Sequence, residues 1–173
     1  MNSSRTIGIA GAGSIGCFVG GMLAAGGRHV ALLARPRVIA EIQMHGLRLT
    51  SFEGSDQTIA ASGLALSEDA SIFNDGAVVL VTVKSSDTAE MADVIARHAP
   101  PDVIVVSLQN GVGNVAVLRN RLPGRRVLGG MVPFNVVAAG EGRFHRATSA
   151  AVRLSARLSA SCPKTASAGR SRP

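Results

Sequence analysis

The sequence of 173 residues contains no tryptophan, no tyrosine and only five phenylalanines. A hydrophobic core of this chain must therefore consist mainly of alanine and aliphatic side chains, which dominate the 46% hydrophobic fraction. Continuous aliphatic runs are typical of buried strands in a parallel sheet that is covered by helices. The shortage of aromatic rings also removes the platforms on which the bases of single-stranded nucleic acids stack.

Negative charge is absent from the C-terminal end of the chain. The formal net charge is +7, yet residues 1–150 are nearly neutral, whereas residues 151–173 hold five basic residues and no acidic one. A basic tail without aromatic side chains differs from the surfaces that bind nucleic acids. We therefore expect no nucleic-acid partner.

The chain also lacks the cysteine content and spacing that disulfides and metal sites need. Cys17 and Cys162 lie far apart, and no histidine stands at ligand spacing from another histidine or a cysteine. We expect no metal site and a reducing, cytoplasmic location. The apolar stretch from Ile7 to Ala25 is similar to a signal peptide or membrane span, but eight glycines between positions 7 and 27 favour a soluble segment.

Short aliphatic runs alternate with amphipathic stretches along residues 1–150. This alternation predicts an α/β fold: a Rossmann-like, doubly wound, mostly parallel sheet with helices on both faces. Two hairpins are also predicted, one pairing 47–50 with 57–60 and one around residues 140–142. The predicted strands are 6–10, 29–34, 77–83, 103–108 and 127–132, and the predicted helices are 14–25, 38–45, 89–99 and 114–122, the last capped by Asn114.

Residues 151–173 break this alternation and are rich in alanine, serine, arginine and proline. Such a segment has little apolar surface to bury. We expect residues 1–150 to form one domain and residues 151–173 to form a disordered tail.

A glycine-rich motif lies between the first predicted strand and the first predicted helix. The first glycine of a G-x-G-x-x-G motif permits a tight turn, the second lets the backbone approach a pyrophosphate, and the third lets helix and strand pack closely. The start of the helix adds free amides and the positive end of its dipole. The motif predicts a dinucleotide site, although small residues could serve packing alone. Its residues are Gly11, Ala12, Gly13, Ser14, Ile15 and Gly16.

Arg35 stands at the end of the second predicted strand, where such folds contact the adenosine ribose. An acidic residue there would accept hydrogen bonds from the 2′-hydroxyl of NAD, whereas an arginine pairs with a 2′-phosphate. The sequence therefore favours NADP(H), with Arg37 as a second candidate contact. The alternative is a solvated arginine at a strand end.

Two further polar residues follow predicted strands. Lys84, one of only two lysines, directly follows strand 77–83, and Asn110 follows strand 103–108. Ligands of open α/β sheets bind outside the carboxyl ends of the strands, so both residues are expected at the same edge as the glycine motif. Taken singly, Lys84 could be a surface lysine and Asn110 part of a turn.

Several segments together resemble the N-terminal domain of the ketopantoate reductase family, over residues 5 to about 150. The resemblance implies NADPH-dependent reduction of the 2-keto acid 2-dehydropantoate to pantoate, in the synthesis of pantothenate and coenzyme A. It implies that the glycine loop binds pyrophosphate, that Arg35 binds the 2′-phosphate and that Lys84 lies between cofactor and substrate. Asn110 would hold the nicotinamide ribose side and touch the substrate, and Asn135 would lie near the nicotinamide. The segments are GAGSIG, the strand end at Arg35, VTVK, QNGVG, and GRFHRATS at 142–149.

The family also has a second, helical domain that supplies a general-acid lysine and, four residues later, an asparagine. In this sequence the later lysine is Lys164, followed four residues on by Ala168, so we assign no catalytic role to Lys164. We expect a truncated or frameshifted ketopantoate reductase whose exposed apolar face is prone to self-association. Two alternatives stay open: a non-catalytic NADP-binding remnant or subunit, and a related two-domain dehydrogenase of the glycerol-3-phosphate or opine type.

Overall fold

The structure, a computed structural model, describes residues 6–147. The predicted tail, including Cys162 and Lys164, lies outside these residues. Ten strands and four α-helices are present within them. The strands are β1 (Thr6–Ala10), β2 (Val30–Leu33), β3 (Leu47–Ser51), β4 (Asp56–Ile59), β5 (Ala65–Ser67), β6 (Gly76–Val81), β7 (Ile104–Ser107), β8 (Arg126–Gly129), β9 (Val136–Gly140) and β10 (Arg143–Arg146). The helices are α1 (Ser14–Ala25), α2 (Pro36–His45), α3 (Thr88–His98) and α4 (Asn114–Arg121).

Six strands form a parallel sheet in the order β5-β2-β1-β6-β7-β8. The chain builds outward from β1 to β2 and β5 on one side, and from β6 to β7 and β8 on the other. The strand order therefore reverses between β1 and β6, and their carboxyl ends mark the switch point of the sheet. The Rossmann-like, doubly wound fold predicted from the sequence is confirmed.

Both faces of the parallel sheet are covered, as neighbouring residues of β1 demonstrate. Ile9 and Ala10 are fully buried but belong to different core clusters, because successive strand residues point to opposite faces. Ile9 shares its cluster with Phe18 of α1. Ala10 shares the other with Ile95 of α3 and Leu118 of α4. The core is largely aliphatic, as the composition requires.

A second sheet of four strands, in the order β4-β3-β10-β9, packs against α1. Its two antiparallel hairpins, β3–β4 and β9–β10, agree with the sequence prediction. Parallel pairing of β3 with β10, with Leu49 opposite Phe144, joins them into one sheet and was not predicted. Gly21 of α1 makes room for this layer, since a Cβ there would lie 2.8 Å from Cδ1 of Leu49.

The prediction that Asn114 caps the last helix is wrong. Gly113 occupies the N-cap of α4 without a side-chain hydrogen bond, and Asn114 is the first helical residue. The Asn114 amide instead donates to the carbonyl oxygens of Asn110 (2.8 Å) and Gly111 (3.3 Å) in the preceding loop. The strand predicted over 127–132 ends earlier, at Gly129.

Candidate functional site

The glycine-rich motif forms the tight turn between β1 and α1. Gly11 has a φ of 107°, a left-handed conformation that favours glycine, and its carbonyl oxygen accepts a 2.7 Å hydrogen bond from the Thr82 hydroxyl. A Cβ on Gly16 would overlap that carbonyl oxygen and lie 2.7 Å from the hydroxyl oxygen of Thr82. Close contacts between the loop, α1 and the end of β6 thus require the first and third glycines.

Gly13, the second glycine of the motif, meets a different environment. It is the N-cap of α1 with a φ of −80°, so its conformation does not require glycine. A Cβ placed on it would meet no atom within 4 Å. The first turn of α1 carries no acidic residue, and Gly13 has no side chain that could cap the helix. The helix therefore presents its free amides and partial positive charge to open space.

A cavity of about 830 Å³ lies outside the carboxyl ends of the central strands. Cofactor and small-molecule sites typically measure about 300–1,000 Å³. Ile15 and Gly16 do not contribute to the wall of this cavity. The wall forms from the loop after β1, the starts of α2 and α3, the ends of β2 and β6, and Ala138 and Phe144 of the second sheet. The wall includes Gly11, Ala12, Gly13, Ser14, Ala34, Arg35, Arg37, Val38, Glu41, Glu68, Thr82, Val83, Lys84, Asp87 and Met91.

Arg35 and Arg37 both line the cavity beyond the end of β2. Arg37 donates from Nε to Oε1 of Glu41 at 2.9 Å, and this hydrogen bond holds the pKa of Glu41 below its usual range. Arg35 is exposed, and its guanidinium forms no ion pair with any residue in the range 6–147. Arg35 is therefore free to meet an anion at the end of the cavity formed by α2.

Acidic side chains of the cavity wall were missed by the sequence reasoning. Glu41 belongs to α2, Glu68 directly follows the short strand β5, and Asp87 precedes α3. Knowledge of β5 would have pointed to Glu68, but a strand of three residues gives no periodic signal. The cavity thus offers both positive and negative groups to a ligand.

The structure brings Lys84 to the cavity wall but not Asn110. Lys84 is exposed beyond the end of β6 and forms no ion pair within the described part of the chain. Asn110 is exposed in the loop after β7, the strand next to β6. The two loops are in direct contact, since the Ser85 hydroxyl donates to the carbonyl oxygen of Asn110 at 3.2 Å.

Asn135 lies before β9 and does not contribute to the cavity wall. Its carbonyl oxygen accepts a 2.9 Å hydrogen bond from the amide of Ala147, at the border of the second sheet. The placement of Asn135 near a nicotinamide stays a prediction.

A chain of polar side chains connects the loops after β6 and β7. Ser107 donates from Oγ to Oε1 of Gln109 at 3.1 Å, and Gln109 donates from Nε2 to Oγ1 of Thr88 at 2.7 Å. Thr88 in turn donates to Oδ1 of Asn114 at 3.1 Å. Ser107 and Thr88 are each 1% exposed and Asn114 is 5% exposed. This network could not be predicted from the sequence, because its members are separated by up to 26 residues.

Cys17 supports the glycine loop from inside the protein. Its thiol donates to the carbonyl oxygen of Ala12 at 3.3 Å, and burial raises the pKa of the thiol to about 12. A thiol in this state is unreactive. Residues 6–147 contain no cluster of histidine, cysteine or acidic residues that could hold a metal ion, and none of their helices could cross a membrane.

Another cavity, of about 860 Å³, opens at the amino ends of the strands, between Asp75, Pro100 and Arg126. It lies at the edge of the sheet opposite the glycine loop. Open α/β sheets bind ligands outside the carboxyl ends of their strands, so the cavity beside the glycine loop is the candidate site.

The reversal of strand order, the glycine turn that opens a helix and the cavity at the carboxyl edge together define a Rossmann-like domain. A family model described as ketopantoate reductase PanE/ApbA matches residues 7–158. The chain therefore belongs to the ketopantoate reductase family, a family of NAD(P)-dependent oxidoreductases, and the resemblance seen in the sequence is confirmed.

Similar proteins include 2-dehydropantoate 2-reductases of two archaea. That of Halobacterium salinarum is 37% identical over 123 residues, which are 70% of this chain and 39% of that protein. That of Archaeoglobus fulgidus is 33% identical over 142 residues, or 78% of this chain and 44% of that protein. The crystal structure of a PanE/ApbA family ketopantoate reductase from Ralstonia eutropha JMP134 matches with a TM-score of 0.74 and 35% identity, covering 82% of this chain and 46% of that one. The chain spans less than half the length of these relatives.

Proposed function

We propose that this chain binds NADP(H) and forms the cofactor-binding part of a reductase that converts 2-dehydropantoate to pantoate. The observation that carries this proposal is the single cavity lined by the glycine loop, Arg35 and Lys84. In a member of the ketopantoate reductase family, this arrangement supports three adjoining subsites. They would receive the pyrophosphate, the 2′-phosphate and the reacting keto acid.

The proposed pyrophosphate subsite is the N-terminus of α1. Gly13 leaves open space in front of the helix, and the first turn has no carboxylate to repel an anion. Backbone amides at a helix N-terminus bind phosphates through hydrogen bonds and the helix dipole. The residues present therefore fit the pyrophosphate of a dinucleotide.

The proposed 2′-phosphate subsite is the exposed guanidinium of Arg35. Since Arg37 already pairs with Glu41, Arg35 is the cation of this loop that remains without an ion-pair partner among residues 6–147. An arginine contacts phosphate through two parallel hydrogen bonds, whereas it offers the 2′-hydroxyl of NAD no acceptor. This difference supports NADP(H) over NAD(H).

The proposed reaction needs a hydride and a proton. Bound NADPH supplies the hydride to the keto carbon. We propose that the Lys84 ammonium pairs with the carboxylate of the keto acid, and that Asn110 holds the ribose on the nicotinamide side. No general acid is assigned among residues 6–147. Loss of such a group slows a reaction by about 10²–10⁴-fold, so we expect slow turnover from these 173 residues alone.

The test is NADPH oxidation by the purified chain with 2-dehydropantoate, with dihydroxyacetone phosphate, or without a substrate. We expect slow oxidation that depends on 2-dehydropantoate and that is weaker in Lys84→Met when the keto acid is below saturation. The control is Arg97→Met, which removes an exposed cation from α3, outside the cavity wall.

Three results would contradict parts of this proposal. Oxidation that depends on dihydroxyacetone phosphate would favour a dehydrogenase of the glycerol-3-phosphate type. NADPH binding without any oxidation would favour a non-catalytic cofactor-binding chain. Failure to bind NADPH would refute the cofactor site itself.

A further inference from the structure

We propose that Thr88, Gln109 and Asn114 are positioning residues that fix Lys84 and Asn110 relative to each other at the nicotinamide end of the cavity. This inference rests on the proposed function. Lys84 and Asn110 are exposed and belong to different loops, one after β6 and one after β7. With the keto acid on Lys84 and the nicotinamide ribose on Asn110, the two ligands meet in a reactive geometry only if the two loops keep a constant separation.

Gln109 makes the first connection, from the loop after β7 to the loop after β6. Its Nε2 donates to the carbonyl oxygen of Val83 at 2.9 Å and lies 3.4 Å from that of Lys84. Gln109, the residue before Asn110, thus contacts the carbonyl oxygens of two successive residues, Val83 and Lys84.

Asn114 makes the second connection, from the start of α4. Its Nδ2 donates to the carbonyl oxygen of Asn110 at 2.8 Å and to Oγ of Ser85 at 3.1 Å. The Asn114 side-chain amide therefore links the backbone of Asn110 to the side chain of Ser85, the residue after Lys84.

Thr88 joins these two connections. Its hydroxyl accepts from Gln109 and donates to Asn114, and only 1% of the residue is exposed. Buried networks in which every polar group has a partner are rigid, and loss of one member leaves others unsatisfied. Thr88 is thus the residue whose hydroxyl sets the orientation of both amides at once.

The test compares Thr88→Val, which replaces the hydroxyl with a methyl group of similar size, with Thr88→Ser, which keeps the hydroxyl and removes the methyl group. Two ligands are titrated: NADPH, and adenosine 2′,5′-bisphosphate, which carries the 2′-phosphate but no nicotinamide. For Thr88→Val we expect about three- to tenfold weaker NADPH binding, as the loss of one hydrogen bond gives. The fluorescence change of bound NADPH, which reports on its nicotinamide, should shrink in parallel. Binding of the bisphosphate should stay unchanged, and Thr88→Ser should behave as the parent chain does.

A second variant, Ser85→Ala, covers the case in which Thr88→Val does not fold. Ser85 is exposed and its hydroxyl contacts both Asn114 and Asn110, so its removal loosens the same connection without a buried defect. We expect it too to weaken NADPH binding but not bisphosphate binding.

Equal weakening of both ligands in the folded variants would show a general structural effect and overturn the inference. Unchanged NADPH affinity and fluorescence would overturn it as well. If the unaltered chain binds neither ligand, the proposed function fails, and the inference fails with it. If the unaltered chain binds both ligands and the variants match it, the inference alone fails.

Discussion

Alanine in place of Gly13 and alanine in place of Gly16 have opposite expected consequences, although the two glycines are three residues apart in one motif. Gly13 is exposed, with open space where a Cβ would lie. Gly16 is buried, and a Cβ there would overlap the carbonyl oxygen of Gly11. Gly13→Ala should weaken ligand binding, and Gly16→Ala should lower the free energy of unfolding.

Gly13→Ala should leave the free energy of unfolding within about 1 kcal/mol of the parent value. Reduced freedom of the unfolded chain stabilises by about 0.4–1 kcal/mol where the native backbone suits alanine, as a φ of −80° does. Alanine is a poorer N-cap than glycine, which costs roughly 0.5–1 kcal/mol. The two effects nearly cancel.

The same substitution should weaken NADPH binding about tenfold or more. The second glycine of the motif lets the backbone approach the pyrophosphate, and a methyl group there holds the phosphates away from the amides. Loss of one charge-assisted hydrogen bond, about 1.5–3 kcal/mol, corresponds to roughly 10- to 100-fold in the dissociation constant.

Gly16→Ala should instead destabilise the protein by about 1–3 kcal/mol or more, the cost of overpacking a closely packed site. The overlap is with backbone, which has no alternative rotamer, and the hydroxyl oxygen of Thr82, directly after β6, would lie 2.7 Å from the added Cβ. The first turn of α1 must move away from β1 and β6.

Urea unfolding and NADPH titration of both variants test this pair of predictions. Equal loss of stability in the two variants would refute the assignment of separate roles. Parent-like NADPH affinity in Gly13→Ala would show that no pyrophosphate approaches α1 at this position.

Two other predictions concern single side chains. Lys84→Met should raise the KM for 2-dehydropantoate by up to about fivefold, because one lost exposed charge contact is worth about 1 kcal/mol or less, and it should leave the NADPH dissociation constant nearly unchanged. Steady-state kinetics beside NADPH titration separates the two, and weaker NADPH binding with an unchanged KM would place Lys84 on the cofactor alone. In a Cys162→Ser background, Cys17 should resist alkylation until the chain unfolds, because burial raises the pKa of its thiol from 9.0 to about 12. The stability that this pKa shift contributes is complete below pH 9.0 and is lost as the pH rises toward about 12, so Cys17→Ala should flatten the fall in unfolding free energy over that range. Rapid alkylation of Cys17 in the folded protein would contradict the burial of its thiol.

Local patterns predicted most of the parallel sheet. The aliphatic runs that became β1, β6 and β7 are continuous because both faces of these strands are buried. The helix predicted over 38–45 begins two residues earlier, at Pro36, because proline suits the first turn of a helix. The strand ends at Arg35 and Lys84 could be located because each follows such a run directly.

The second sheet could be predicted only in part. Each hairpin has a local signal in its glycine turn, but the pairing of β3 with β10 joins segments more than ninety residues apart. Leu49 and Phe144 read as ordinary apolar residues until the space above Gly21 is known. Tertiary packing against α1, and not the local sequence pattern, therefore determines the pairing of β3 with β10.

The polar network beside the site was also beyond sequence reasoning. Asn114 follows a glycine at the start of a helix, which is typical of a capping residue. Its amide instead satisfies the carbonyl oxygens of Asn110 and Gly111, and its side-chain oxygen accepts from Thr88. The carbonyl oxygens of Asn110 and Gly111 belong to the preceding loop, but Thr88 belongs to α3, and the local sequence does not reveal that contact.

The most direct test of the central claim is the ratio of the dissociation constants for NADH and NADPH, measured in the parent chain and in Arg35→Ala. NADPH should bind about 10- to 100-fold more tightly than NADH to the parent chain, as one arginine–phosphate pair gives, and the ratio should fall to near one in Arg35→Ala. Arg37→Ala, the matched control, should keep most of the preference because Glu41 already holds that guanidinium. Equal affinity for both dinucleotides in the parent chain, or an unchanged preference in Arg35→Ala, would show that Arg35 does not bind a 2′-phosphate.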